Sequence, residues 1–354
     1  MSTGSLWSIA IFALLFGTAS GRADSNHDPD HAVILLYHHV SADTPASTSV
    51  TPDQFESHLD ALEAGGYRVW PLPRVLAAIF DQAEPLPPDV VAITFDDAYD
   101  SVFSEARPRL RARGWPFSVF VNTDAIDAGH SPYMDWNNLR TLHQEGVMLG
   151  NHSAAHGHMA TPESGESDSA WRERVATDID QAHRRLAEEI GQPPEVFAYP
   201  YGEDSPALAE VVASRYRWAL AQRSGPVGTL TDRLSMPRFP LATGFASLDR
   251  LELAIRSRPL PVRRLEIGAD GRGGDIDWIQ LTLEPGGYRA GQLGCFSGAG
   301  DALVIESESG DLPMIRIDVD GIGRAGRNKV NCTAPASDGS GDFYWYSYQW
   351  LIEP

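Results

Sequence analysis

Between His31 and about Pro259 short apolar runs alternate with amphipathic stretches, and that alternation leaves few folds open. HAVILLYHHV from His31, VVAITF over Val90–Phe95, PFSVFVN over Pro116–Asn122, VMLGNHS over Val147–Ser153 and EVFAYPYG over Glu195–Gly202 read as strands. They are rich in β-formers and too short for buried helices. Between them, TPDQFESHLDALEAGGY predicts a helix with Thr51 as N-cap, Pro52 at its first position, Phe55, Leu59 and Leu62 on one face, and Gly65–Gly66 as its stop. Further helices are expected near Ser101–Arg113, over WNNLRTLHQEG, over Ala170–Ile190 and over Pro206–Ser214. Repeated strand–helix units predict an α/β fold with parallel strands and outer helices, in a barrel or a doubly wound sheet. In either, chemistry collects at the carboxyl ends of the strands.

The pattern changes after the Pro- and Arg-rich segment Arg256–Arg264. The remaining stretches alternate, carry Gly-rich turns and show no helical period, which predicts a small all-β domain over 259–354. In DFYWYSYQW, alternation puts Phe343, Trp345, Ser347 and Gln349 on one face and Tyr344, Tyr346, Tyr348 and Trp350 on the other. One face is core; the other binds glycan or packs on the first domain. Both cysteines, Cys295 and Cys332, lie here. In an exported protein they would close a loop of about 36 residues by a disulfide worth roughly 3–4 kcal/mol, whereas two buried thiols are the alternative. Export is expected because Leu6–Phe16 is apolar yet too short to span a bilayer, with Gly21 and Ala23 suited to a cleavage site. Residues 1–23 are accordingly read as a signal peptide and 24–258 as the first domain, which places the mature protein in the periplasm or outside the cell. No other stretch is long and apolar enough for a stable transmembrane span. A net charge of −20 argues against nucleic-acid binding, which needs clustered Lys and Arg.

VVAITF ends in two adjacent carboxylates, Asp96 and Asp97. Side by side at a strand end they repel unless a positive group neutralises them. A helix N-cap is one explanation; the other is that one holds a metal while its neighbour handles a proton. GNHSAAHGH places His152 and His156 four apart, so that both can face one side of a helical turn. Ser153 stands where a zinc protease of the HExxH type has its glutamate, so that reading fails. Asp97, His152 and His156 make a two-histidine, one-carboxylate set suited to a divalent metal with a position open for water. Asp96 is then free to act as base. His158 is a further candidate ligand or a surface residue.

TFDD with HSAAH resembles the first two motifs of the polysaccharide deacetylases of carbohydrate esterase family 4, over about Ala32 to Phe245. The resemblance implies a distorted, seven-stranded (β/α) barrel-like domain and one divalent ion, zinc with cobalt or nickel as alternatives. It implies Asp96 as catalytic base and Asp97, His152 and His156 as metal ligands. AYPYG is similar to the family's third motif, so Tyr201 would supply a backbone N–H to the oxyanion. The arginine that usually orients the base falls at Ala198, which leaves that role unfilled or met by another group. The family's late Leu-x-His motif is absent between Tyr201 and Pro259, but Leu36-Tyr37-His38 stands at the other end of the domain. The chain is therefore similar to the circularly permuted branch that includes the biofilm poly-β-1,6-N-acetylglucosamine deacetylases, as YHHV and the Tyr-Pro-Tyr-Gly turn also suggest. That makes His38, rather than His39, the acid for the departing amine.

Trp136, Asp135 and Tyr199 are candidates for the sugar subsite; an Asp135 N-cap with Trp136 in the core is the alternative for the first two. The expected activity is metal-dependent removal of acetyl groups from N-acetylglucosamine units of an extracellular polysaccharide. An O-acetyl esterase needs the same machinery. A catalytically silent carbohydrate-binding protein is the rival that Ala198 favours.

Overall fold

A computed structural model describes Met1 and residues 30–268, 276–308 and 310–352. The expected leader and its cleavage site at Gly21 and Ala23 lie outside the described residues. Six strands run parallel: β1 (His31–Tyr37), β2 (Val90–Phe95), β3 (Ser118–Val121), β4 (Met148–Asn151), β5 (Val196–Ala198) and β6 (Trp218–Leu220), hydrogen-bonded in that order. Three two-residue strands complete the sheet among the described residues: Arg68–Val69 parallel to β2, Phe239–Pro240 parallel to β1, and Val227–Gly228 antiparallel beside the start of β1. The apolar runs are continuous because both faces are covered. Val33, Leu35 and Tyr37 of β1 pack with Val91, Ile93 and Phe95 of β2 beneath the helix Pro52–Ala64. The intervening Ala32, Ile34, Val90 and Ala92 pack with Leu72, Val75 and Leu76 of the helix Leu72–Asp81. Thr51 caps its helix as expected, in a capping box with Gln54.

The expected barrel is only half realised. Among the described residues the sheet curls into a half-barrel, and no regular ladder joins β6 to β1. The gap is crossed by one extended segment. Met236 bonds with Ala219 and Ala221 at the end of β6, Phe239–Pro240 pairs parallel with Leu35–Leu36 of β1, and the Leu241 N–H bonds to the Leu36 carbonyl. Arg238 thus lies between the two edges. The predicted helix near Ser101–Arg113 opens as a π-turn over Val102–Ala106 before continuing over Arg107–Ala112.

Beyond Ser257 two four-stranded sheets follow. One contains Arg258–Pro259, Phe343–Ile352, Gly326–Pro335 and Gly294–Ser297; the other contains Val262–Gly268, Trp278–Leu283, Met314–Asp318 and Ile305–Glu308. Cys295 and Cys332 pair across neighbouring strands and are disulfide-bonded. The strand Phe343–Ile352 uses both faces. Tyr344, Tyr346, Tyr348 and Trp350 join the core of this β region. Trp345 meets Phe239 edge-on with ring centres 5.6 Å apart, Ser347 bonds to the Ser224 carbonyl, and Gln349 reaches Gly202. The second face therefore packs on the α/β domain. Among the described residues no helix is long and apolar enough to cross a membrane.

Candidate active site

The polar residues gather where the strands end. The Asp96 N–H continues the ladder to the Tyr37 carbonyl at 3.0 Å, which sets the carboxylates level with the end of β1. Past β2 the chain bends sharply, with Asp97 at φ 71° and Ala98 at φ 56°, a left-handed pair that costs non-glycine residues of order 1–3 kcal/mol each. Strain of this kind persists where the surroundings enforce it, and here it turns the two carboxylates into different environments.

Asp96 is 1% exposed and faces Arg238, which is fully buried. Both guanidinium Nη atoms donate to both carboxylate oxygens at 2.7 Å, and the Arg238 Nε donates to the Ala221 carbonyl at 2.9 Å. Burial alone would push the Asp96 carboxyl up; Arg238 and His152 more than offset it, and the group is held below the usual carboxylate range. Arg238 stands 40 residues after Ala198 in the sequence, so the guanidinium that Asp96 meets comes from a different segment.

Asp97 faces the histidines instead. Its Oδ1 lies 3.5 Å from Nε2 of His152 and 3.1 Å from Nε2 of His156, and ligand atoms of the three residues lie within 4.8 Å of one another. The donor set fits a cation. His152 Nδ1 sits 2.8 Å from the Ala198 carbonyl, an acceptor only, so Nδ1 carries the hydrogen. In the neutral ring, Nε2 then presents a lone pair to the Asp97 carboxylate, an arrangement that calls for a positive charge between them. Nitrogen and oxygen ligands in this number suit zinc or a similar divalent ion.

The histidines do not meet on a helix as the spacing suggested. Residues 152–158 form an irregular loop in which Ser153 (φ 64°) and His156 (φ 53°) are left-handed. The loop is pinned by side chains. Buried Asn151 accepts the Ser153 N–H and donates to Ile179 and Tyr216, Ser153 Oγ accepts the His156 N–H, and Asp178 accepts the N–H groups of Ala154 and Ala155. Asp178 belongs to the long helix Asp168–Ile190, so that helix fixes the loop. His158 stays outside, with Nδ1 2.7 Å from Glu203 and its ring stacked on Tyr201 at 4.3 Å.

His38 follows β1 directly, and its charge interacts with Asp97, Asp96, Arg238 and His152; burial lowers its pKa against the pull of the two aspartates. His39 turns away and stacks on Tyr99 with ring centres 3.5 Å apart; burial and His38 push it down to about 4. Tyr99 in turn contacts Tyr133 at 4.9 Å, an aromatic wall that the sequence reading missed. Tyr201, left-handed at φ 58°, forms the opposite wall, with its ring 4.6 Å from that of His156.

Of the three candidate sugar contacts, only Tyr199 is shut away from solvent, while Asp135 and Trp136 have local partners. Tyr199 is completely buried, and its hydroxyl donates to the Leu234 carbonyl. Asp135 caps the helix Trp136–Gln144 in a capping box with Asn138. Trp136 donates its indole N–H to Asp127, and Arg185 covers its ring. Local capping and packing account for all three.

The profile of the polysaccharide deacetylase family matches residues 83–216, a stretch that contains Asp96, Asp97, His152, His156 and Tyr201 but ends before Arg238 and begins after His38. The protein YxkH of Bacillus subtilis (strain 168) is 27% identical over 144 residues, 40% of this chain and 50% of that protein. The chain thus spans about half the length of the curated relative it matches. The fold is similar to that of the Streptococcus pyogenes deacetylase PplD, at TM-score 0.57 and 21% identity over 64% of this chain and 99% of the other. It is similar also to a de-N-acetylase from Aggregatibacter actinomycetemcomitans, at TM-score 0.57 and 20% identity over 63% of this chain and all of the other. The matched sequence profile, with a similar fold around it, makes one assignment: residues 83–216 of the α/β region carry a polysaccharide deacetylase domain.

Proposed function

We propose that this protein removes acetyl groups from N-acetylglucosamine units of an extracellular polysaccharide, with a poly-β-1,6-N-acetylglucosamine-like chain preferred. The observation that carries the reading is the division of labour between the aspartates: Asp96 is clamped by Arg238 while Asp97 faces two histidines. A divalent ion, zinc by the donor set, would be held by Asp97, His152 and His156 and would supply Lewis acidity toward a carbonyl and a water. Asp96, kept ionised and oriented by Arg238, takes the proton of the attacking water. The Tyr201 N–H donates to the oxygen that gains charge. His38 donates a proton to the departing amine. Filling the Ala198 position from Arg238 removes the main argument for a silent binding protein. The Cys295–Cys332 disulfide supports an exported, oxidising location, periplasmic or extracellular.

The test is acetate release from poly-β-1,6-N-acetylglucosamine, chitin oligomers, peptidoglycan and O-acetylated xylan, each with and without chelator. Release from the amide-bearing glycans, abolished by chelator, is expected. Release from the O-acetylated polymer alone makes the protein an esterase. His156→Ala removes one of three protein ligands and should abolish stoichiometric metal binding, while His158→Ala should leave it intact. Metal analysis of the two purified variants decides this. His38→Ala should keep the metal but slow amide hydrolysis roughly 10²–10⁴-fold, with far less effect on an activated acetate ester, whose leaving group needs little protonation. Equal losses on both substrates would assign His38 to positioning instead.

A further inference from the structure

The turn that carries Tyr201 is held from behind by the C-terminal β region. Its peptide planes are fixed one after another. Pro200 C=O accepts the Glu203 N–H at 3.1 Å, and this sets the plane that bears the Tyr201 N–H. In the next plane the Gly202 N–H donates to Tyr199 C=O at 2.8 Å, while at the opposite end Tyr201 C=O accepts from Arg327 Nη1 at 2.5 Å. In the plane after that, Gly202 C=O accepts from Gln349 Nε2 at 3.0 Å. Arg327 and Gln349 lie on adjacent strands of one sheet, Gly326–Pro335 and Phe343–Ile352, more than 120 residues beyond the turn. Arg223 ties the same strand down by donating to Ser347 C=O at 3.2 Å.

The turn has reason to need holding. Tyr201 is left-handed at φ 58°, which costs an L-residue about 1–2 kcal/mol. Gly202 follows at φ 66°, where a Cβ would lie 2.0 Å from that of Gln222. A strained Tyr201 beside the proposed ligand His156 persists only where neighbours over-determine it. Two donors aimed at two successive carbonyls do so here, and Gln349 is buried while it does.

We infer that the β region is a working part of the catalytic site: Arg327 and Gln349 are positioning residues that fix the Tyr201–Gly202 turn, and through it the direction of the Tyr201 N–H. The inference rests on the deacetylase reading above, in which that N–H serves the oxyanion. Donors of this kind act only in the aligned geometry, and losing one costs about 10²–10³-fold in turnover. A donor left misaligned should cost less, about tenfold or more.

The experiment uses the full chain with its metal. Arg327→Met and Gln349→Leu are made singly and together, with Arg327→Lys as the conservative control, since lysine still donates to a carbonyl. Acetate release gives kcat and KM, elemental analysis gives bound metal, and hydrogen exchange reports on the amides of residues 199–203. The result expected is a fall in kcat of about tenfold or more in the double variant, with KM and metal content unchanged, faster exchange at Gly202 and Glu203, and recovery in Arg327→Lys. Unchanged kcat and unchanged exchange in the double variant would overturn the inference and leave the deacetylase reading standing. So would a loss of kcat that tracks loss of metal or of Tm. A wild-type chain that releases no acetate from any substrate would overturn the deacetylase reading itself, and the inference with it.

Discussion

Arg238→Met will unfold at markedly lower denaturant than the parent and will lose deacetylation at least about 100-fold. Asp96 and Arg238 are both buried, and among the described residues their two contacts at 2.7 Å are the hydrogen bonds that Asp96 receives from a permanently cationic side chain. Methionine fills the space of the arginine stem but strands the carboxylate. Breaking a buried pair by removing one partner costs about 3–5 kcal/mol, because the remaining charge has lost its partner and cannot regain water. The catalytic loss has a separate cause. A base that is neither held in register nor kept ionised forfeits much of the roughly 10²–10⁴-fold that general base catalysis contributes. The two effects come apart in a second variant. Arg238→Met combined with Asp96→Asn removes both charges of the pair and should recover most of the stability while remaining inactive. Equilibrium unfolding and acetate release on both proteins check this. Stability of Arg238→Met within about 0.5 kcal/mol of the parent would show that the pair does not have the role given to it here.

Which parts of this site could be read from the sequence follows from how far apart the cooperating residues lie along it. Asp96 and Asp97 were legible because their chemistry is local: two carboxylates directly after an apolar strand are costly without a partner. His152 and His156 were legible by spacing, although the spacing misled about shape. The helical turn it suggested is a loop, and the cause is a set of side-chain bonds from Asn151, Ser153 and Asp178 that no periodicity encodes. Arg238 was missed because it belongs to a pair 142 residues apart in sequence. One signal pointed to it: an arginine inside the apolar, proline-flanked stretch MPRFPL needs a buried anion, just as Asp96 needs a buried cation. The half-barrel, too, was only partly legible, since the segment that crosses its gap contains too few paired residues to read as a strand. In DFYWYSYQW the alternation placed both faces correctly, but only the packing of Trp345 and Gln349 shows what the second face meets. Asp135 shows the opposite case, in which the local capping chemistry was readable from the sequence alone.

Asp96→Asn is the variant on which the account turns, because it separates holding an ion from moving a proton. Asparagine keeps the size of the side chain and can still bond to Arg238, but it cannot accept a proton from water at neutral pH. The proposed ligands Asp97, His152 and His156 are untouched, and ligand atoms of all three stay within 4.8 Å of one another in the parent structure. The ion should therefore remain while turnover falls by roughly 10²–10⁴-fold. Asp97→Asn removes a charged ligand and should lose both. The direct measurement is metal content and acetate release from poly-β-1,6-N-acetylglucosamine on the same Asp96→Asn sample. The account predicts one equivalent of divalent metal with deacetylation abolished. Loss of the metal along with the activity would make Asp96 a ligand, and retention of activity would remove it as the base.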